Sequence, residues 1–220
     1  MEGIKKNIRY WSWISGKNML MLIGFAVFFG ILFGMLDGGV PEVLSVTSFY
    51  LLLFGVMCGG AMQVVAIQVY MGQCIAMGAK RKDVFFGMQY TNWIPAIVIY
   101  LFALICQFVT GTTGMNDWGI NMWSGQTVFF YVAAVLLVNG LGNIVSILCA
   151  RFGKAGMVAF VILAACWGGM MGGMASMLAD GYIPFFPSVP KALVMIIPAV
   201  LYIVSAVIQY RIVRKYEIHV

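Results

Sequence analysis

The chain has 220 residues, of which 63% are hydrophobic and 9% charged, with a net charge of +6. Soluble domains average roughly half apolar and a quarter charged residues, so a water-facing shell cannot be built from this composition. The positive charge does not mark a nucleic-acid binder, because no basic stretch is interleaved with polar or aromatic residues on a hydrophilic module able to follow a phosphate backbone.

Residues 1–17 place Ile4, Ile8 and Trp11 on one helical face, with Lys5, Lys6 and Arg9 roughly opposite and Trp13 falling among the bases. That pattern predicts an amphipathic connector helix lying in the inner membrane interface. The mixed character of this stretch, and the lack of a small-residue cleavage site after the first apolar run, predict that the first helix is retained.

Apolar segments follow at about 19–36, 45–73, 91–109, 126–150, 156–177 and 192–210, each near or above the ~20 residues that cross the hydrocarbon core. The expected fold class is therefore an all-α integral membrane protein. Six spans form one domain over residues 18–210, and a short tail covers 211–220. The second segment would run to about 43 Å as one helix, so it is expected to project beyond the bilayer, tilt, or both. Pro95 and Pro198 fall inside spans three and six, where a missing backbone donor predicts a kink. The outer loops 110–125 and 178–191 are short and carry Trp118, Trp123, Tyr182, Phe185 and Phe186, side chains suited to the headgroup level.

Basic residues orient the spans. Lys5, Lys6, Arg9, Lys17, Lys80, Arg81, Lys82, Arg151, Lys154, Arg211, Arg214 and Lys215 fall on one side, twelve of the thirteen bases. Lys191 stands alone on the other side, beside Asp37, Glu42, Asp117 and Asp180. Cytoplasmic loops collect Lys and Arg, so both termini are expected in the cytoplasm; the expected location is separately a plasma membrane, bacterial in source.

The chemistry these segments lack is informative. No Asp, Glu, His, Lys or Arg lies inside the six segments, whereas proton and ion carriers bury such groups at membrane depth. His219 is the only histidine, and no paired carboxylates face a membrane cavity, so hydrolysis is not expected. The nearest approach to a phosphate loop, Ser15-Gly16-Lys17-Asn18, lacks both the loop glycine and the hydroxyl after lysine. The chain itself is then not an enzyme, and any ATP is bound by another chain. Cys58, Cys74, Cys106, Cys149 and Cys166 occur singly and read as buried small residues without disulfide or zinc. Met170 and Met174 form an MxxxM pair in a chain of seventeen methionines; packing explains it better than a Cu(I) site.

Two sets of residues remain. Gly55 and Gly59, Gly168 and Gly172, Gly30 and Gly34, and Gly169 and Gly173 are spaced for close helix approach, more often within one chain than across a dimer seam. Gln63, Gln68, Asn139, Asn143 and Ser146 lie within spans two and four, where they either line a pathway or bond between helices.

One hydrophilic stretch is distinctive: Ala76-Met77-Gly78-Ala79-Lys80-Arg81-Lys82-Asp83-Val84-Phe85-Phe86-Gly87. Inside anchoring alone accounts for its bases but leaves Gly78 and the Phe85-Phe86 pair without a reason. Coming after a long second span, this order resembles the first coupling-helix region of the membrane subunits of ABC-2 type ABC exporters. The layout is similar over nearly the whole chain: a connector helix, six spans, a second short turn at Arg151 to Ala155, and a basic C-terminal end.

The resemblance implies a coupling helix between spans two and three, continuous with span two. Gly78, Lys80, Arg81, Lys82, Asp83, Phe85, Phe86, Arg151 and Lys154 would meet two copies of a cytosolic ATPase that holds ATP and Mg. It also implies a second membrane subunit, expected to be an identical chain. Small subunits of this kind export amphipathic peptides or hydrophobic small molecules. Two other readings compete: the substrate-binding membrane component of a vitamin importer, and a non-transporting scaffold or immunity protein.

Overall fold

Within a bilayer no water reaches the backbone, so each crossing segment must satisfy its own N–H and C=O groups, and apolar runs of this length become helices. The computed structural model describes residues 2–37, 40–110, 123, 125–153, 155, 156, 158 and 191–215, and these are all-helical apart from turns. Helix α1 spans Glu2–Asp37 and α2 spans Val40–Val65, continuing through a π-helical segment Ala66–Met71 into a short α3, Gly72–Ala76. Then come α4 (Arg81–Thr110), α5 (Gly125–Phe152) and α6 (Lys191–Lys215). Five of them are long and apolar enough to cross a membrane, and the chain is a multi-pass membrane protein in that sense. Apart from 156 and 158, the apolar run 156–177, with Gly168, Gly172, Met170 and Met174, lies outside the described residues, as does Lys154.

Helix directions follow from residue pairs. Gly30 lies against Thr47 and Gly34 against Val43, so α1 and α2 are antiparallel. Gly55 meets Ile99 and Gly59 meets Asn92, so α2 and α4 are antiparallel as well. Gly59 with Asn139 and Gly60 with Gly142 set α5 parallel to α2. Gly140 with Tyr202, and Asn143 with Ser205, set α6 parallel to α5. Thus α1 and α4 run one way, and α2, α5 and α6 run the other. The bundle has one end where α1 and α4 begin and where α3, α5 and α6 finish.

That end carries the described bases other than Lys191, which begins α6 at the opposite end. Its core gathers Trp11, Ala66, Ile67, Met71, Cys74, Val84, Met88 and Val213, with Ala150 packed against it, so every long helix contributes. Around this core stand Arg9, Lys17, Lys80, Arg81, Lys82, Arg151, Arg211, Arg214 and Lys215, all exposed.

Two boundaries differ from the sequence-based expectation. First, α1 is continuous across residue 17, and at 1.5 Å per residue its 36 residues extend about 54 Å. Trp11 is fully buried against Gly87, Tyr10 and Tyr70, and Ile8 is exposed. Of the face read as lipid-seeking, Trp11 packs on protein, because Gly87 offers a seat without a Cβ where the indole lies. Second, α4 begins at Arg81 and runs unbroken into the bilayer. The basic aromatic stretch is therefore continuous with span three, where continuity with span two was expected. Pro95 and Pro198 are both inside helices that continue past them.

Candidate functional site

Above the basic end, three helices contribute amides to one closed ring. Gln63 Nε2 donates to Asn92 Oδ1 at 2.7 Å, and Asn92 Nδ2 donates to Gln89 Oε1 at 3.1 Å. Gln89 Nε2 donates to Gln209 Oε1 at 2.8 Å, and Gln209 Nε2 returns to Gln63 Oε1 at 2.9 Å. Each amide gives one hydrogen bond to the next and accepts one from the previous, an arrangement in which the bonds polarise one another. Gln63, Asn92 and Gln209 are fully buried, so the polar groups meet their needs inside the ring, away from lipid.

The ring is braced on all sides. Gln63 Nε2 also donates to the Met88 carbonyl at 2.8 Å. Trp93 Nε1 donates to Tyr202 Oη at 2.8 Å, and that hydroxyl donates to Gln89 Oε1 at 2.6 Å. From α5, Asn139 Nδ2 reaches the Asn92 carbonyl at 3.3 Å and Asn143 Nδ2 reaches Ser205 Oγ at 3.3 Å. Pro95 has no N–H and leaves the Thr91 carbonyl without its helical donor; nearby, Tyr131 Oη donates to the Ala96 carbonyl at 2.8 Å. By helical rise Gln89 and Asn92 stand about 12 and 16 Å from Arg81, in the half of the bundle nearer the basic end.

Glycines permit this approach. A Cβ on Gly59 would strike Asn139 Oδ1 and come within 2.7 Å of the Asn92 carbonyl oxygen. One on Gly60 would lie 2.9 Å from the Val138 carbonyl oxygen, and one on Gly55 would meet Tyr131 Oη. Gly55 and Gly59 therefore pack within this chain.

The stretch singled out in the sequence forms the floor beneath the ring. Gly78 ends α3 in the left-handed conformation, φ +84°, with Ala79 N bonded to the Cys74 carbonyl at 3.0 Å and Gly78 N to the Ile75 carbonyl at 2.9 Å. This is a Schellman cap, for which glycine is the favoured residue. Arg81 Nη1 donates to the Arg214 carbonyl at 2.9 Å, tying the head of α4 to the end of α6. Phe85 is half-buried, 5.1 Å from the Tyr210 ring. Lys80, Lys82 and Phe86 are exposed, with Lys82 Nζ 6.0 Å from the Phe86 ring, and Asp83 is partly buried in the first turn of α4.

At the other turn, Gly153 is left-handed, φ +57°, and its N–H caps the Cys149 carbonyl at 2.9 Å. Arg151 is exposed there beside Phe152, 5.6 Å from its ring. Base and aromatic pairs recur on α1, where Lys17 covers Trp13 at 3.7 Å, and on α6, where Arg214 lies 5.7 Å from Tyr210. Rings beside cations suit a headgroup interface.

Of the polar residues named from sequence, the structure brings Gln63, Asn139 and Asn143 into one network; the side chain of Gln68 lies outside the described residues. Sequence reasoning missed Gln89, Asn92, Tyr202 and Gln209. Starting span three near residue 91 put Gln89 in a loop, although its i, i+3 spacing with Asn92 places both on one helical face. No family model, curated protein or solved structure matches this chain.

Proposed function

We propose that this chain is the transmembrane subunit of an ATP-driven exporter of the ABC-2 kind, moving an amphipathic peptide or hydrophobic small molecule outward across the plasma membrane. Two cytosolic ATPase subunits hold ATP and Mg, a second copy of this chain completes the pathway, and both termini are cytoplasmic. The observation that carries the reading is the build of α4. Its first turns hold the exposed Lys82 and Phe86 of the resembling stretch, and its next turns hold Gln89 and Asn92 of the amide ring. A push on the head of one rigid helix is thereby delivered to a buried hydrogen-bonded ring that is either closed or broken, a two-state element. The coupling surface in this reading is Lys80, Lys82, Phe86 and the Arg151 turn, while Gly78, Arg81 and Phe85 hold it in position.

Six crossings fit the same reading. The parallel run of α5 and α6 supports it, and the apolar run 156–177 has the length and composition suited to a crossing between them.

The test is purification of the tagged full-length protein from its native membrane in mild detergent. A P-loop ATPase is expected in stoichiometric amount, and the Lys82→Glu/Phe86→Ala variant is expected to lose it while keeping its own melting temperature, since both side chains are exposed. Intact protein recovered alone sinks the exporter reading; undiminished ATPase on the variant sinks the docking surface.

A further inference from the structure

Three oxygens on one face of α5 have no donor. Asn139, Asn143 and Ser146 are each fully buried, yet among the described residues Asn139 Oδ1, Asn143 Oδ1 and Ser146 Oγ have no hydrogen-bond partner. Their i, i+4, i+7 spacing stacks them along a single stripe. Leaving a buried acceptor unmet costs a fold more than a made hydrogen bond adds, so native proteins rarely do it once, and here it happens three times in a row. The amide ring close by shows the contrast, since there every amide oxygen is used.

The orientation of these amides is fixed by their other ends. Asn139 points its nitrogen at the Asn92 carbonyl, which only accepts. Asn143 points its nitrogen at Ser205 Oγ, whose own proton is committed to the Tyr202 carbonyl at 2.9 Å. Flipping either amide would set oxygen against oxygen, so both Oδ1 atoms are held turned away from those partners, Asn139 Oδ1 lying against Gly59 of α2.

A second feature lies at the same level. The parallel pairing of Gly59 with Asn139 and Gly60 with Gly142 carries Ser146 to the height of Ala66, where the helix widens into the π-helical segment Ala66–Met71. Such wide turns are frequent at functional sites. By helical rise the stripe lies about 8 to 18 Å from Arg151, inside the bilayer's inner half.

We infer that Asn139, Asn143 and Ser146 form an intramembrane site for a neutral hydrogen-bond donor, either water or an N–H or O–H group of a transported solute. The site favours donors because its two amide oxygens only accept and the Ser146 hydroxyl can accept as well. It selects against a bare cation because two amide oxygens and a hydroxyl neither complete a coordination shell nor neutralise charge at this depth. The inference is independent of the exporter reading, as water occupies such a site in a scaffold as readily as in a transporter.

The test uses the full chain in lipid nanodiscs. If the stripe is empty, Ser146→Ala removes an unmet hydroxyl and adds helix propensity, so the melting temperature rises. If a donor is bound, the same change removes one of its anchors, and a fall of about 3 °C is expected. Magnetisation transfer from water protons to 15N-labelled Asn139 and Asn143 side chains identifies water as the occupant. Mass spectrometry of the denatured extract identifies a solute that leaves with the Ser146→Ala substitution. An unchanged or raised melting temperature overturns the site, and so does a fall with neither water transfer nor a released solute, since the hydroxyl then acts through packing alone.

Discussion

The two halves of the bundle are held by different forces. Toward the outer end, α1 and α2 meet through stacked rings, with Phe29 and Tyr50 centroids 5.1 Å apart and Phe33 and Tyr50 6.2 Å apart. Gly30 and Gly34 fit against Thr47 and Val43. The hydroxyls of that region bond within their own helix, Thr47 to the Val43 carbonyl and Ser48 to the Ser45 carbonyl, each at 2.7 Å. Toward the basic end, side-chain amides bond across α2, α4, α5 and α6. Lipid is as apolar as leucine, so surface fit is what the described residues show holding this α1/α2 seam, the outer seam, and a small slide changes its energy gradually. The amide ring has discrete partners, so it is either made or broken. A protein built this way keeps its register at one end and its tolerance at the other.

The largest expected effect lies where the halves join. Gly59→Val must push the Asn92 backbone away from its seat, and overpacking of this kind costs about 3 kcal/mol or more when backbone has to move. Little monodisperse protein is expected from size-exclusion chromatography; normal yield with an unchanged melting temperature means the α2/α4 contact is looser than described.

Next is the ring itself. Gln63→Leu strands Asn92 Oδ1 and Gln209 Nε2 and removes a donor to Met88, a loss of about 1–3 kcal/mol. The double variant Gln63→Leu/Gln209→Leu is expected to cost less than the two singles added, because partners removed together leave fewer groups unmet. Strict additivity in a denaturation cycle argues against a closed ring. In the outer seam, Phe29→Ala is expected to cost about 1 kcal/mol, the scale of an aromatic pair. It should add to Gln63→Leu without coupling, and strong coupling erases the distinction between the halves.

This division also accounts for what the sequence made legible. Apolar runs and the placement of Lys and Arg depend on composition over many residues, which is why five of the spans and the basic end were visible without coordinates. The amide ring depends on which helical faces meet. Gln63 and Gln209 are 146 residues apart, and nothing local to either marks the other as its partner. Gly87 and Trp11 form the same kind of pair: nothing local to a glycine after two phenylalanines marks the indole that fills its place. Gly78 lay within a stretch singled out for docking, and its local reason is the end of a helix.

The smallest effect probes the basic end through Cys74, whose carbonyl receives the Schellman bond from Ala79. Burial pushes its thiol up to about 11 from an ordinary 9.0, and since the thiolate is the nucleophile, a maleimide should label it slowly at pH 8. The folded state holds a proton that the unfolded state begins to release near pH 9. The stability this contributes is therefore intact below that pH and is lost as pH rises through about 11. Cys74→Ala should remove that alkaline fall and leave the neutral-pH melting temperature nearly unchanged. Gly78→Ala strains a φ of +84° at a cost of about 1 kcal/mol, which should fray the last turn of α3 and speed Cys74 labelling several-fold. Measured with Cys58, Cys106, Cys149 and Cys166 replaced by alanine, an unchanged labelling rate in Gly78→Ala would show that packing against Trp11 and Val213, and not the glycine cap, keeps that turn closed. That turn of the basic end would then be held by surface fit, as the α1/α2 seam is.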